Sequence, residues 1–181
     1  MQETESSDID TRVRQRVLIP SPIGVLGLEF VDSIASALDI VPVGGRRKLF
    51  TPFGELKPQD RSDQLDETVG RLSEYLAGAR RDLRIDYDID LTDVDDFTRR
   101  VLRETSRIPY GRTRTYQQVA TGIGRPGAYR QVLSTLIVNP LPLLVPCHRV
   151  VPSRAGIGSY VAAVAKKEWL LKMEKRGLGT R

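Results

Sequence analysis

Residues 145–151 read Val-Pro-Cys-His-Arg-Val-Val, and they hold the only cysteine and the only histidine of the 181-residue chain. An imidazole beside a thiol can take the thiol proton near neutral pH, and the thiolate that results is a nucleophile. The alternative is a buried structural cysteine next to a core histidine, and for each residue taken alone the two readings are about even. The pairing of Cys147 with His148 favours chemistry, and Arg149 would stabilise a thiolate if it lay close in space.

The lack of a second histidine limits the proton relay that Cys147 could use. The base must be His148, and because neighbouring side chains often point apart, we expect a bridging water between the two. A carboxylate would then orient the imidazole, as in other nucleophile–base pairs. Glu168 and Glu174, late in the chain, are the two candidates.

Composition narrows the class of protein. Hydrophobic residues make up 40% and charged residues 28% of the chain, as in soluble globular proteins. No apolar run approaches the ~20 residues of a membrane span, and the acidic, polar start is not a secretory signal peptide. One cysteine and one histidine cannot form the usual zinc site, so we expect no metal. The single cysteine also fits a reducing, intracellular setting, with the protein in the cytoplasm, on the nucleoid, or in a eukaryotic nucleus.

Charge is distributed unevenly along the chain. Residues 1–90 carry 12 Lys and Arg against 17 Asp and Glu, a net charge of −5. Residues 91–181 carry 16 against 6, a net charge of +10. The second half is therefore the candidate surface for a polyanion such as DNA.

The first half predicts a small α/β domain over residues 16–91, after a flexible tail at 1–15. Short apolar runs broken by Pro and Gly between residues 17 and 42 predict two or three antiparallel strands. A helix is predicted from Asp63 to Asp82, with one apolar stripe at helical spacing. Its members are Leu65, Val69, Leu72 and Leu76. Residues 85–91 alternate apolar and polar, which predicts a further strand.

The second half, residues 92–181, predicts a mainly helical domain. Thr92 is the expected N-cap of a first helix, which ends at residues 108–111. Helices at 115–121 and 128–138, separated by a Gly-containing turn, have the outline of a helix-turn-helix. A last helix is expected from Ala162 to Lys175, with Gly177 as its C-cap. The predicted fold class is therefore α+β.

The segment Pro146–Val150 resembles the active-site signature of the O6-alkylguanine-DNA alkyltransferases, also called methylated-DNA–protein-cysteine methyltransferases. Other motifs agree with this family in order and spacing, and the resemblance covers about residues 95–175. The first half is similar only loosely, at residues 21–24. The agreeing motifs are Ile108-Pro109-Tyr110-Gly111, Thr115-Tyr116-Gln117-Gln118-Val119-Ala120, Asn139-Pro140, Gly158-Ser159-Tyr160 and Lys167-Glu168-Trp169-Leu170-Leu171.

The resemblance implies a DNA repair protein that acts once. Cys147 would take the alkyl group irreversibly from O6 of a flipped-out alkylguanine in double-stranded DNA, with O4-alkylthymine as an open second substrate. His148 would act through water as the base. The spacing of Glu174 from Cys147 favours Glu174 over Glu168 as the carboxylate that orients His148. Asn139 would hold the turn around the active-site segment. The family's pattern implies no cofactor and a monomer, with cooperative binding along DNA left open.

The resemblance also implies residues that hold the substrate. Tyr116 would donate to the purine N3, and the carbonyls of Cys147 and Val150 would accept from the exocyclic amine. The segment with Gly158, Ser159, Tyr160 and Val161 would close over the base. Arg130, on the recognition helix beside Tyr129, would fill the gap left in the base stack.

This chain departs from the family at several positions. Tyr129, Gln131 and Leu133 are bulkier than the residues usual on the recognition helix, and Val161 carries no hydroxyl. The open alternatives are a non-enzymatic protein that binds alkylated DNA and flags it for other factors, and a cysteine enzyme with another substrate. The presence of Cys147 disfavours the first, since such binding proteins lack the cysteine.

Overall fold

The computed structural model describes residues 14–32, 34–41, 61–83, 94–154 and 156–179. Its first part is an antiparallel sheet of three strands in sequence order, β1 (Arg14–Ser21), β2 (Gly24–Val31) and β3 (Ile34–Val41). Ser21 pairs with Gly24 across a two-residue turn, where Gly24 has a φ of 115° that favours glycine. Strand β1 begins at Arg14, two residues before the end of the stretch predicted as a flexible tail. The domain bounds stay a prediction.

Helix α1 (Asp63–Leu76) packs beside β1. It buries Leu65, Leu72 and Leu76, so the predicted apolar stripe is confirmed, with Val69 partly buried at its edge. The helix ends at Leu76 and does not reach the predicted Asp82. Gly78, just beyond this end, has a φ of +76°, which is outside the helical region. The predicted strand at residues 85–91 lies outside the described residues.

The second part is mainly helical, with α2 (Asp96–Ser106), α3 (Tyr116–Gly122), α4 (Tyr129–Ile137) and α5 (Val164–Gly179). The N-cap of α2 is Asp95, whose side chain accepts from the Thr98 N–H at 3.0 Å, so the prediction of Thr92 is wrong. The prediction of Gly177 as a C-cap is also wrong, because α5 continues through it. A Cβ at Gly177 would lie 2.5 Å from the Tyr110 hydroxyl, so this glycine makes room for a side chain.

Two short parallel strands, β4 (Arg114–Thr115) and β5 (Val150–Val151), join the start of α3 to the segment with the cysteine. A 3₁₀ turn, Cys147–Arg149, leads directly into β5. Helices α2, α3 and α4 pack on one another. The predicted α+β fold, with an N-terminal antiparallel sheet and a helical second part, is confirmed. The reading of α3 and α4 as a DNA-binding helix-turn-helix stays a prediction.

The two parts share one continuous apolar core. The Leu38 N–H of β3 donates to the Pro140 carbonyl at 2.8 Å, so the sheet contacts the segment that leads to Cys147. No helix among the described residues is long and apolar enough to cross a membrane. Within those same ranges, no group of three or more His, Cys, Asp and Glu side chains could hold a metal ion.

Candidate active site

Cys147 begins the 3₁₀ turn and is only 3% exposed. The Asn139 amide donates to its Sγ at 3.0 Å and to the Val145 carbonyl at 3.1 Å. The Asn139 oxygen accepts from the Leu141 N–H at 3.1 Å. The buried Asn139 side chain therefore links the Cys147 sulfur to the backbone of Leu141 and of Val145, at the two ends of the loop before Cys147.

The thiol is protonated at neutral pH in this structure. Burial raises the pKa of Cys147 to about 11, although the hydrogen bond from Asn139 and the charge of Lys167 oppose the rise. A thiol of such high pKa is a weak nucleophile, because the thiolate is the reactive form. Any chemistry at Cys147 therefore requires a base that takes its proton.

His148 is fully buried, and its two ring nitrogens have different surroundings. Nε2 lies 2.9 Å from Glu174 Oε1, whereas Nδ1 has no hydrogen-bond partner among the described residues. Since a carboxylate only accepts, Nε2 carries the proton and Nδ1 is the bare, basic nitrogen. Burial lowers the pKa of His148 more than Glu174 raises it, so the imidazole is neutral at pH 7.

Glu174 on α5 is the centre of a buried polar cluster. Its carboxylate accepts from the Arg149 guanidinium at 2.8 to 3.2 Å, from the Gly111 N–H at 2.8 Å and from the Tyr75 hydroxyl at 2.5 Å. Burial disfavours the charged carboxylate, but the hydrogen bonds from His148 and Arg149 and the charge of Arg149 outweigh it and lower the Glu174 pKa to about 2. With His148 neutral, the compensating charge is that of Arg149.

Arg149 has a different role from the one its position in the sequence suggested. Its guanidinium binds Glu174 and the Ile108 carbonyl, the latter at 2.6 Å. The positive charge that lowers the pKa of Cys147 is that of Lys167 instead. The expectation that Arg149 favours the thiolate is therefore wrong, because its charge is neutralised by a carboxylate.

The choice between the two candidate carboxylates is decided by the face of α5 on which each lies. Glu168 is partly exposed and pairs with Lys172 at 2.8 Å on the surface. Glu174 is fully buried beside His148. The structure therefore brings Glu174 into contact with the imidazole and leaves Glu168 outside the cluster.

Tyr116, the first residue of α3, is buried close to the loop before α5. Burial raises its pKa, and the charge of a Cys147 thiolate raises it further, so its hydroxyl keeps its proton. A Cβ at Gly158 would lie 3.1 Å from that hydroxyl and 2.9 Å from the Pro152 ring, and Gly158 has a φ of +74°. Glycine is needed at this position for both reasons.

The remaining residues predicted to hold the base lie around this loop. Tyr160 is buried, with its ring edge-on to His148 at a centroid distance of 6.4 Å, and its hydroxyl has no partner within the described residues. Ser159 and Val161 are exposed beside it. The carbonyls of Cys147 and Val150 already accept from the Val150 N–H and Lys167 respectively, but each carbonyl has a second lone pair.

Arg130 and Tyr129 lie apart from this cluster, on the exposed side of α4. The Arg130 guanidinium sits 5.6 Å from the centroid of the Tyr129 ring, within the range of a cation–π contact. Their exposure leaves both side chains free to contact a partner.

Sequence reasoning missed two members of the cluster. Lys167 is fully buried, donates to the carbonyls of Val150 at 2.6 Å and Ser159 at 3.1 Å, and has its pKa lowered to about 8 by burial. The signal was the spacing of Lys167, Leu170 and Glu174, which puts both charged residues on the buried stripe of α5. Tyr75, on the apolar face of α1, had only its aromatic side chain with a polar tip as a signal.

Comparison with known proteins places this cluster in a family. A profile described as "6-O-methylguanine DNA methyltransferase, DNA binding domain" matches residues 96–176. The methylated-DNA–protein-cysteine methyltransferase of Methanosarcina barkeri is 32% identical over 162 residues, which cover 89% of this chain and 97% of the relative. The homologue of the same name in Mycolicibacterium paratuberculosis is 32% identical, over 87% and 90% of the two chains.

A solved structure agrees with the sequence comparisons. The crystal structure titled as Mycobacterium tuberculosis OGT in complex with DNA superposes with a TM-score of 0.75 at 32% identity, over 90% of this chain and 94% of that one. The likeness extends through both parts of the molecule and includes the sheet, where the sequence resemblance was loose. This chain belongs to the methylated-DNA–protein-cysteine methyltransferase family.

Proposed function

We propose that this protein repairs DNA by transferring the alkyl group of O6-alkylguanine to its own Cys147, once per molecule. One observation supports this most directly. A protonated, buried thiol is adjacent in the chain to a neutral imidazole whose Nδ1 has no hydrogen-bond partner among the described residues and whose Nε2 is bound to a carboxylate. This is the arrangement that an acceptor cysteine with a built-in base requires.

The proposed reaction begins with proton transfer. The Cys147 proton passes through a water to His148 Nδ1, and Glu174 and its hydrogen bond at Nε2 stabilise the imidazolium. The sulfur then attacks the alkyl carbon, a C–S bond forms, and the C–O6 bond breaks with its electron pair on the guanine. Tyr116 gives a proton to the leaving guanine at N3, and the proton on His148 restores the Tyr116 hydroxyl. The net exchange moves the alkyl group to sulfur and the thiol proton to guanine.

The thioether that forms is stable, so each molecule reacts once. Because the acceptor sulfur is buried, the base must leave the duplex to reach it, at a cost of about a few kcal/mol. In the proposal, Arg130 occupies the space in the stack, and the segment from Gly158 to Val161 closes over the extruded base. The carbonyls of Cys147 and Val150 accept from its amine. The net charge of +10 in residues 91–181 supports phosphate contacts by the proposed alkyltransferase domain, residues 92–181.

The experiment is mass spectrometry after incubation with duplex DNA that contains one O6-methylguanine. We expect the peptide that bears Cys147 to gain the mass of one methyl group, with a plateau at one per protein. The Cys147→Ala variant should bind the same duplex and gain nothing. A folded wild-type protein that gains no mass at neutral pH would sink the proposal.

The same mixture tests the two alternatives. Tight binding of lesion DNA with no mass gain would indicate a protein that only flags lesions. Affinity that falls steeply with added salt is expected from phosphate contacts, since binding them releases counterions. Affinity for DNA that is absent or insensitive to salt would point to a cysteine enzyme with another substrate.

A further inference from the structure

We propose that Tyr75, in the N-terminal part of the chain, is a positioning residue for the reaction at Cys147. Its hydroxyl fixes the carboxylate of Glu174, which in turn orients His148. The inference rests on the proposed function, but it makes a claim about the imidazole that can be measured without DNA.

The geometry places the phenol at the meeting point of the relay. The Tyr75 hydroxyl donates to Glu174 Oε1 at 2.5 Å and lies 3.3 Å from His148 Nε2. The same oxygen accepts from His148 at 2.9 Å and from Arg149 Nη2 at 2.8 Å. Three donors from α1 and from the 3₁₀ turn therefore hold one carboxylate oxygen, and the Gly111 N–H holds the other.

Tyr75 is suited to this role because it stays protonated and rigid. It is fully buried, and burial together with the charge of Glu174 raises its pKa well above the ordinary value. The hydroxyl is therefore protonated, and able to donate, at neutral pH. The Tyr110 ring packs edge-on against the Tyr75 ring at 6.0 Å and leaves it little room to turn.

The hydroxyl has two effects on His148. It fixes the position of Oε1, so that Nε2–H points to the carboxylate and Nδ1 is left bare. Its hydrogen bond also partly neutralises the negative charge on Oε1. Glu174 therefore stabilises the protonated imidazole less than it would without Tyr75. Removal of the hydroxyl should leave the imidazole more basic and less well oriented.

The groups that face His148 come from four elements. They are Cys147 and Arg149 on its own turn, Glu174 and Lys167 on α5, Tyr160 in the preceding loop, and Tyr75 on α1. Among the described residues that face His148, Tyr75 is the one from the N-terminal part of the chain. The proposal thus assigns that part a direct share in the site, through α1.

The test compares Tyr75→Phe with Tyr110→Phe. The control removes a buried hydroxyl that has no hydrogen-bond partner among the described residues, from the ring next to Tyr75. His148 is the only histidine, so ¹⁵N NMR of histidine-labelled protein gives its pKa and tautomer without assignment. Single-turnover transfer from lesion DNA is measured on the same samples between pH 5 and pH 9.

We expect Tyr75→Phe to slow transfer by about tenfold at pH 7.5, the scale of a lost hydrogen bond to a charged group. Its His148 pKa should rise, and the acid limb of the rate profile should move to higher pH with it. Tyr110→Phe should change neither quantity. Equal shifts in both variants, or none in Tyr75→Phe, would overturn the proposal.

A double-mutant cycle separates positioning from a loss of packing. If Tyr75 acts through Glu174, then Tyr75→Phe should slow transfer much less in a Glu174→Gln background than in the wild type. The same further loss in both backgrounds would show that Tyr75 acts independently of Glu174.

If Tyr75→Phe does not fold, two measurements on the wild-type protein still test the proposal. The Tyr75 hydroxyl proton should exchange slowly enough with solvent to be seen by NMR, and His148 should be the Nε2–H tautomer. Fast exchange of that proton would contradict the proposal. If the wild type transfers no alkyl group, the proposed function fails, whereas the shift in His148 pKa remains measurable in the absence of DNA.

Discussion

The buried cluster around Glu174 and the exposed face of α4 around Arg130 both carry charge, but they differ in what holds the charge in place. In the cluster, Glu174 is bound by donors from three separate stretches of chain. On α4, Arg130 rests against its exposed neighbour Tyr129. The difference is that the groups proposed for proton transfer are held by hydrogen bonds from several parts of the fold, whereas the groups proposed for DNA docking rest against each other on an exposed helix face.

Stability alone does not explain the cluster. A buried ion pair costs desolvation energy, and well-packed apolar residues of similar volume are often at least as stable. Glu174, Arg149 and Lys167 are nonetheless all buried within reach of the Cys147–His148 pair. The burial of these charged groups is understandable if they serve the chemistry. The four predictions below test the contrast between this cluster and the exposed face of α4.

The largest effect is expected from Glu174→Gln. The amide nitrogen would present hydrogens to Tyr75, His148 or Arg149, which are donors themselves, and Arg149 would be left buried without its counter-charge. We expect transfer to slow by about 100-fold, and the free energy of unfolding to fall by about 3 kcal/mol. Single-turnover kinetics and urea denaturation measure the two quantities.

Glu168→Gln is the matched control, since it makes the same change on the same helix. Glu168 pairs with Lys172 at the surface, where such a pair contributes about 0–1 kcal/mol. Transfer should be unchanged. Similar losses in the two variants would show that the buried position of Glu174 has no special importance.

The second effect is a loss of stability in acid. The pKa of Glu174 is about 2 in the folded protein and about 4.3 in an unfolded chain. Because the folded pKa is the lower one, its contribution is complete above about pH 5 and is lost as the pH falls toward 2. Urea denaturation from pH 6 to pH 3 should show a steeper decline in the wild type than in Glu174→Gln, and parallel declines would contradict this assignment.

The third effect concerns the exposed face. Arg130→Ala should slow transfer from duplex DNA by about tenfold, because extrusion of the base costs about a few kcal/mol and Arg130 is proposed to offset part of that cost. Transfer from free O6-benzylguanine should be unaffected, and the free energy of unfolding should change by less than about 0.5 kcal/mol. A slower reaction with the free base would place Arg130 in the buried site instead.

The smallest effect is expected from Tyr129→Ala. A cation–π contact at an exposed site is worth about 0.5–1 kcal/mol, so transfer from duplex DNA should slow by about two- to fivefold. In an Arg130→Ala background the same change should have almost no effect, since the ring would have no guanidinium to support. A full effect in that background would mean that Tyr129 contacts DNA independently.

Much of the fold could be predicted from local sequence patterns. The apolar stripe of α1 and the short runs that form the sheet follow from the periods of helices and strands. Ends were less predictable: Asp95, not Thr92, caps α2, and α5 passes through Gly177. An N-cap depends on a single hydrogen bond between one side chain and one backbone N–H, which local sequence patterns do not specify. A glycine near the end of a helix can be a C-cap or, like Gly177, can make room for a neighbouring side chain such as Tyr110, and the sequence does not distinguish the two.

The sequence by itself determined which reactive and charged groups the protein has: one thiol, one imidazole beside it, two candidate carboxylates near the C-terminal end and a basic second half. Only the tertiary structure decided how these groups are used. It joined Arg149 to Glu174 instead of the thiol, brought Lys167 near Cys147, and brought Tyr75 to a carboxylate 99 residues away. The physical reason is that burial makes both pKa values and hydrogen-bond partners properties of the packed neighbourhood, which sequence spacing does not specify.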